Sequence, residues 1–361
     1  MLKRKTLSPE TPTPTSKRKS PLFWNRHSPV VLVEQALLEL HSILDNPSYQ
    51  KCENHFRIRQ MKEYLKVTGK KQQQMIDLLA ETHFLFLFTA NLDVMSLQER
   101  REFCQFFCYI LRHNIGNVVE VLFRQEEGIR LMHFLSSSYS HPTIVASCGP
   151  ILRECLHHRS LLMYYLNHIG LLLPLFSTYS HCEDIDIRCD VFLTLQELLL
   201  GHSECGEKQY AINFMNGFRQ LLTTSFVDVQ QEGLALLYNY LLMPSTPINL
   251  YLNCLTNLLT VLQYIYSSNQ SVCWNSYQVV KLFILQPDMN PGVREFIYLN
   301  RQKLIRIFTT IASDNPSFMK ERKLLIGILQ NMDAFSVFYK RIAHMPISTF
   351  HKNQLLTHWY E

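Results

Sequence analysis

The stretch CGPILRECLHH (148–158) decides the fold, because its pattern recurs along the chain at an almost constant interval. FCYILRHNIG (107–116) precedes it, and FLTLQELLLGH (192–202), LALLYNYLLM (234–243) and YQVVKLFILQP (277–287) follow. Aligned on one apolar position, these segments place Leu111, Leu152, Leu195, Leu237 and Val280 at intervals of 41, 43, 42 and 43 residues. Three or four residues further on, each has apolar partners: Ile115, Cys155–Leu156, Leu198–Leu199, Tyr240–Leu241 and Phe283–Ile284. That spacing is one face of an α-helix. A helical face repeated every 41–43 residues is the pattern of armadillo or HEAT stacking, in which each repeat buries its face only against its neighbours. The expectation is an all-α solenoid of about six repeats.

Composition agrees. Of 361 residues 47% are hydrophobic, enough for a large core, and there are only 11 glycines. Upstream of the repeats, Val33, Leu37, Leu40 and Leu44 mark an amphipathic helix that Pro47 stops. The net charge of +5 is unevenly placed. Residues 1–29 carry seven basic side chains against Glu10 alone, a net +6, and the remaining 28 Lys+Arg and 29 Asp+Glu leave the body at −1. A nucleic-acid-binding body needs a concentrated positive face, so that class is excluded.

The boundaries drawn from the sequence are a disordered, basic, Ser/Thr-Pro-rich tail (1–20), a helical-repeat rod (21–345) and a C-terminal extension (346–361). The tail lacks the hydrophobic residues that offset ordering entropy. It offers Ser8, Thr11, Thr13, Ser20 and, just beyond it, Ser28 before prolines as modification sites, and two KRK clusters as a route to the nucleus. Ten cysteines without a C-x-x-C read as reduced thiols of a cytoplasmic protein, and the polar N-terminus is unlike a signal peptide.

Residues 233–280 contain no Asp, Glu, Lys, Arg or His, a run of 48 in a chain that is 18% charged. A membrane span is one explanation. Against it, a helix over 248–266 would carry Asn249, Asn253, Thr256, Asn257, Thr260 and Gln263 as a polar stripe. The apolar segment 161–176 is interrupted by Asn167, His168, Gly170 and Pro174. Two explanations remain open: packing between repeats, or a neutral groove for a partner. Charge depletion with Tyr238, Tyr240, Tyr264, Tyr266, Trp274 and Tyr277 suits an interface core.

No phosphate-binding glycine loop, nucleophile elbow or zinc-protease motif occurs, so no enzyme and no cofactor is expected. EDIDIRCD (183–190) lacks the central glycine and closing glutamate of a calcium loop, and it reads as a helix start capped by Asp184 or Asp186. Adjacent His157 and His158 lie on different helix sides. Cys104 and Cys108 share a face without a third ligand nearby.

ILRHNIG (110–116) followed by CGPILRECLHH resembles the calcium-binding protein 39 family, which has an ILRRQIG block and then CG-x-x-LREC-x-x-H. DIRCDVFLTLQELL (186–199), YQVVKLFILQP, NRQKLIRIF (300–308) and the entry PLFWNRHSP (21–29) extend the resemblance over roughly 21–335. It implies a monomeric, non-catalytic armadillo-like scaffold. Such a scaffold holds a sterile-20-like kinase or a related pseudokinase on its concave face, and a Trp-Glu-Phe tail of the partner enters a pocket near the C-terminal repeats. It also implies contact positions, and this chain departs from the family at each of them. Ile185, Val227, Gln231 and Leu262 stand where the family places an aromatic, a tyrosine, an arginine and a methionine, and Leu299 stands for a lysine. With Tyr266 and Trp274 of the neutral stretch, these are the expected partner-binding residues. Arg153 and Glu154 are expected to tie helices together. Two rivals are a diverged adaptor for a different apolar peptide and a transport-type binder of basic peptides. The second needs Trp-x-x-x-Asn pairs, which only Trp274-x-x-x-Gln278 approaches.

Overall fold

A computed structural model of the chain describes residues 28–45, 57–66, 69–123, 126–311 and 316–332. The expected boundaries at 20 and 345, and the Ser/Thr-Pro tail, lie outside them. Among the described residues there are eighteen α-helices and no strand. The chain divides into two compact units, Met1–Phe84 and Leu85–Glu361.

In the first unit α1 (Pro29–Asp45), α2 (Ile58–Lys66) and α3 (Lys70–Glu81) pack on one another. The buried face of α1 is Leu32, Val33, Ala36, Leu40 and Ile43, whereas Leu44 stays 42% exposed at its edge. The expected stop at Pro47 lies outside the described residues.

In chain order there follow α4 (Phe84–Ala90), α5 (Leu97–Arg112), α6 (Val118–Phe123), α7 (Glu126–Ser137) and α8 (Val145–Leu156). Next come α9 (Arg159–Asn167), α10 (Ile169–His181), α11 (Ile185–Gly201), α12 (Lys208–Leu221) and α13 (Val227–Leu241). The series ends with α14 (Asn249–Leu252), α15 (Leu255–Leu262), α16 (Gln270–Leu285), α17 (Pro291–Thr310) and α18 (Pro316–Gln330). One layer runs α5–α8–α11–α13–α16–α18, each helix packed on the next. A second layer includes α7, α10 and α12. This is the helical-repeat solenoid that the 41–43-residue period predicts. Its five period-marking residues are the core: Leu111, Leu152, Leu195 and Leu237 are fully buried and Val280 is 1% exposed.

The helix starts are written locally. Ser96 and Glu99 form a reciprocal capping box on α5. Asp184 accepts from the amides of Asp186 (2.9 Å) and Ile187 (3.2 Å), so EDIDIRCD is a cap, as its residues suggest. Asn269 does the same for α16 through Ser271 and Val272. Asn290 caps α17, with Pro291 at its first position.

Polar links then join helices across repeats. Glu154 on α8 accepts from Arg112 Nη2 on α5 (2.5 Å). From α8, Arg153 donates to Asp190 Oδ1 (2.9 Å) and Thr194 Oγ1 (2.8 Å) on α11. Arg188 on α11 reaches Asp228 of α13 (2.6 Å), and Lys281 on α16 reaches Glu321 of α18 (3.0 Å). As expected of the LREC motif, its two charges tie helices together.

Two expectations about the uncharged region need correction. No single helix spans 248–266: α14 ends at Leu252, α15 starts at Leu255, and a 3₁₀ turn follows at Gln263–Tyr266. Nor does its polar stripe form one solvent face: Asn249 and Thr256 are exposed, but other members bond within the fold. Asn253 Oδ1 accepts from Gln286 Nε2 (2.7 Å) and the Asn290 amide (3.0 Å). Asn257, 1% exposed, accepts from Arg219 Nε (2.7 Å) and donates to the Tyr251 carbonyl (2.9 Å). Binding neighbouring repeats competes with helical continuity here, and the tertiary bonds win. No single helix among the described residues is long and apolar enough to cross a membrane. Helices α9 and α10 reach that length and composition only together, across an 80° bend.

Two pairs of substitutions test this packing. A Cβ added at Gly149 would lie 1.8 Å from Asp190 Oδ2, so Gly149→Ala is expected to cost about 1–3 kcal/mol in urea unfolding. Gly170→Ala, with nothing within 4 Å of the new Cβ, should be neutral or up to about 1 kcal/mol stabilising. Arg153→Met strands the Asp190 carboxylate and should cost about 3 kcal/mol. Arg130→Met, which removes an exposed pair with Glu126, should move stability by less than about 0.5 kcal/mol in the same assay.

Candidate functional site

The same repeat register that stacks the helices lines up their exposed positions. Ile185, Val227 and Gln270 are the first residues of α11, α13 and α16, at intervals of 42 and 43. One turn further on, Gln231 and Trp274 occupy equivalent positions on the packed pair α13 and α16. Between these helices, the 3₁₀ turn and the end of α17 lies a groove of about 810 Å³. Gln231 lines it from α13, Ile265, Tyr266 and Ser267 from the turn, and Gln270, Ser271, Cys273, Trp274 and Asn275 from α16. Ile307, Thr310 and Ile311 complete the wall.

None of these residues carries a charge. The two charges that bracket the neutral stretch are engaged elsewhere. Glu232 accepts from the Tyr179 hydroxyl, whose pKa is driven up by burial and then by that carboxylate. Lys281 pairs with Glu321 and lies over the Tyr238 ring at 5.3 Å.

The groove is held by its neighbours. Asn275 Nδ2 donates to the Gln231 carbonyl (2.8 Å), fixing α16 against α13. The Trp274 ring stacks on Tyr277 (5.7 Å) and meets Phe318 of α18 at 5.0 Å, so its exposed part is pre-positioned. Cys273 Sγ donates to the Ile265 carbonyl (3.2 Å), and burial pushes this thiol up, as it does the Tyr266 phenol. A wall of aromatic, aliphatic, amide and hydroxyl groups is chemically suited to an uncharged chain segment. It has no counter-charge for an ionic one.

Of the seven residues expected to bind a partner, Gln231, Tyr266 and Trp274 share this groove. Val227, 47% exposed, lies one turn before Gln231 on α13. Ile185 (64% exposed) and Leu299 (52%) are surface residues outside the groove lining. Leu262 is fully buried at the end of α15 and presents no surface to a partner. Ile307, Thr310 and Ile311 were not legible from the sequence, because α17 is brought to α16 by the fold rather than by any local pattern. Among the described residues no group of three or more His, Cys, Asp or Glu could hold a metal ion. The described cysteines are free, with Cys148, Cys155 and Cys205 buried.

The Mo25-like family profile matches residues 22–333. A mouse protein named calcium-binding protein 39-like is 23% identical over 341 residues, covering 87% of this chain and 98% of its own length. A Mo25-like protein of Schizosaccharomyces pombe is 22% identical, over 70% of this chain and 78% of its own. The crystal structure of an engineered protein matches 84% of this chain and 74% of that chain at 12% identity, with a TM-score of 0.46. With its repeats and LREC links inside the matched span, the chain belongs to the Mo25-like family, as a divergent member.

Proposed function

We propose that this chain is a non-catalytic scaffold that binds a sterile-20-like protein kinase or pseudokinase on its concave face and holds it in the active conformation. The observation that carries this reading is the uncharged groove at Gln231, Tyr266 and Trp274. Its aromatic, aliphatic, amide and hydroxyl lining suits a docked chain segment, on a chain whose family implies a scaffold. Ile185 and Val227 continue the partner surface along the first residues of the preceding repeat helices. The mechanism is a population shift, since a scaffold that binds only the closed, active conformer raises its occupancy by its differential affinity.

A second reading is supported by the neutral lining itself. Gln231 offers an amide where a guanidinium would pair with a partner carboxylate, and that loss costs several kcal/mol where the pair is desolvated. An adaptor for a different, apolar peptide keeps the groove and gives up kinase activation.

Titration calorimetry of the full chain against a pseudokinase domain carrying a Trp-Glu-Phe tail separates the two. Micromolar or tighter binding is expected, and Trp274→Ala should weaken it by about 2 kcal/mol, roughly thirtyfold. If the folded chain fails to bind and Gln231→Arg restores binding, the second reading holds. Failure of both chains to bind removes the kinase reading.

A further inference from the structure

Cys104 and Cys108 lie outside the groove, one turn apart on α5, and both are half-buried. Their shared face is the one that meets α8: the Arg153 guanidinium lies near Cys104, and the Glu154 carboxylate lies near Cys108. The Cys108 thiol donates to Cys104 Sγ, so the two sulfurs already point at one another.

Helical spacing decides what such a pair can do. Positions i and i+4 hold their Cβ atoms about 5–6 Å apart, whereas a disulfide needs about 3.5–4.5 Å. A direct bond would therefore distort α5, which runs unbroken from Leu97 to Arg112 behind its capping box. One thiophilic atom between the sulfurs removes the conflict, since two metal–sulfur bonds of about 2.3 Å span up to about 4.6 Å.

The ligand count selects the metal. Zinc takes at least three protein ligands, and among the described residues no third His, Cys, Asp or Glu joins this pair in a metal-holding group. Thiolates favour Cu(I), a closed-shell ion that two thiolates in line satisfy. The electrostatics are mixed. Arg153 offsets the negative charge of a Cu(I) bis-thiolate, while Glu154 and Asp190 oppose it, and these two carboxylates are already engaged by Arg112 and Arg153.

We propose that Cys104 and Cys108 form a two-coordinate binding site for Cu(I) on α5. Each thiol gives its proton to solvent, two copper–sulfur bonds form, and the copper stays Cu(I), so no oxidant or reductant is consumed. The second thiolate binds from the same rigid helix as the first, which raises affinity over one thiolate alone by about 10²–10⁴. The groove is lined from α13, the 3₁₀ turn, α16 and α17, so this site stands or falls independently of the partner reading.

The test is an anaerobic titration of the full chain with Cu(I) in competition with bicinchoninate, whose coloured complex reports the copper that the protein does not hold. Cys104→Ser/Cys108→Ser removes the pair, and Cys182→Ser/Cys189→Ser, which removes two other accessible thiols, is the control. Circular dichroism checks that each variant is folded. The full chain and the control should each hold about one Cu(I) more than the Cys104→Ser/Cys108→Ser variant, and Cys108→Ser alone should weaken that site about a hundredfold or more. Equal uptake by the full chain and the Cys104→Ser/Cys108→Ser variant overturns the proposal, as does loss of the ion from the control. X-ray absorption of the full chain loaded with one equivalent needs no variant. Two sulfur neighbours around copper support the site, and a third sulfur or any nitrogen or oxygen neighbour overturns it.

Discussion

The apolar face that recurs every 41–43 residues is the constraint on which the rest depends. Leu111, Leu152, Leu195, Leu237 and Val280 have almost no exposure, and each fully buried side chain of this kind contributes about 1.5–3 kcal/mol. A repeat helix in isolation has nothing to bury that face against, so stacking is obligatory. The ion pairs between repeats act differently. Taking Arg153 and Asp190 out of water costs about what their attraction returns, so they add little net stability while intact. They set register instead: a helix displaced by one turn would leave Arg153, Arg188 and Lys281 without their carboxylates.

The groove is a by-product of that register. With α13 and α16 held in phase by the Asn275–Gln231 bond, equivalent exposed positions become neighbours, and Gln231 and Trp274 form one wall. Its neutrality has a local origin. Glu232 and Lys281, the charges at the ends of the stretch, are bound to Tyr179 and Glu321, and no charge lies between them. The 48-residue uncharged run therefore contributes to two settings. Tyr240, Tyr251, Asn257 and Ser276 are buried in packing, while Tyr266, Gln270 and Ser271 remain at the surface. Of the two explanations that the sequence left open, packing between repeats accounts for the buried residues, and the exposed ones line the groove on which the proposed function rests.

Under the proposed function the scaffold would act through differential affinity, and a neutral wall would then alter which partners it discriminates. Shape and apolar contact remain available, and charge steering is largely lost. The positions at which the resemblance implies departures from the family lie in different surroundings. Gln231 faces the groove with an amide, and Leu299 is an exposed aliphatic in place of a cation. Leu262 is enclosed by the core, where its volume matters and its surface chemistry does not.

The sequence by itself determined the helical repeats, their period and the local devices that start them. Periodicity of 3.6 residues, a 41–43-residue recurrence and caps such as Asp184 and Ser96 are encoded by near neighbours in the chain. It also carried the tie between Arg153, Glu154 and adjacent helices, because the motif sits on a repeat helix that must have neighbours. Only the tertiary structure decided that 248–266 breaks at Asn253, since the bonds that break it come from Gln286 and Asn290. It alone placed Ile307, Thr310 and Ile311 beside Trp274 and withdrew Leu262 into the core. Burial and groove lining depend on which helices meet, and contacts between residues tens of positions apart leave no period of their own to read.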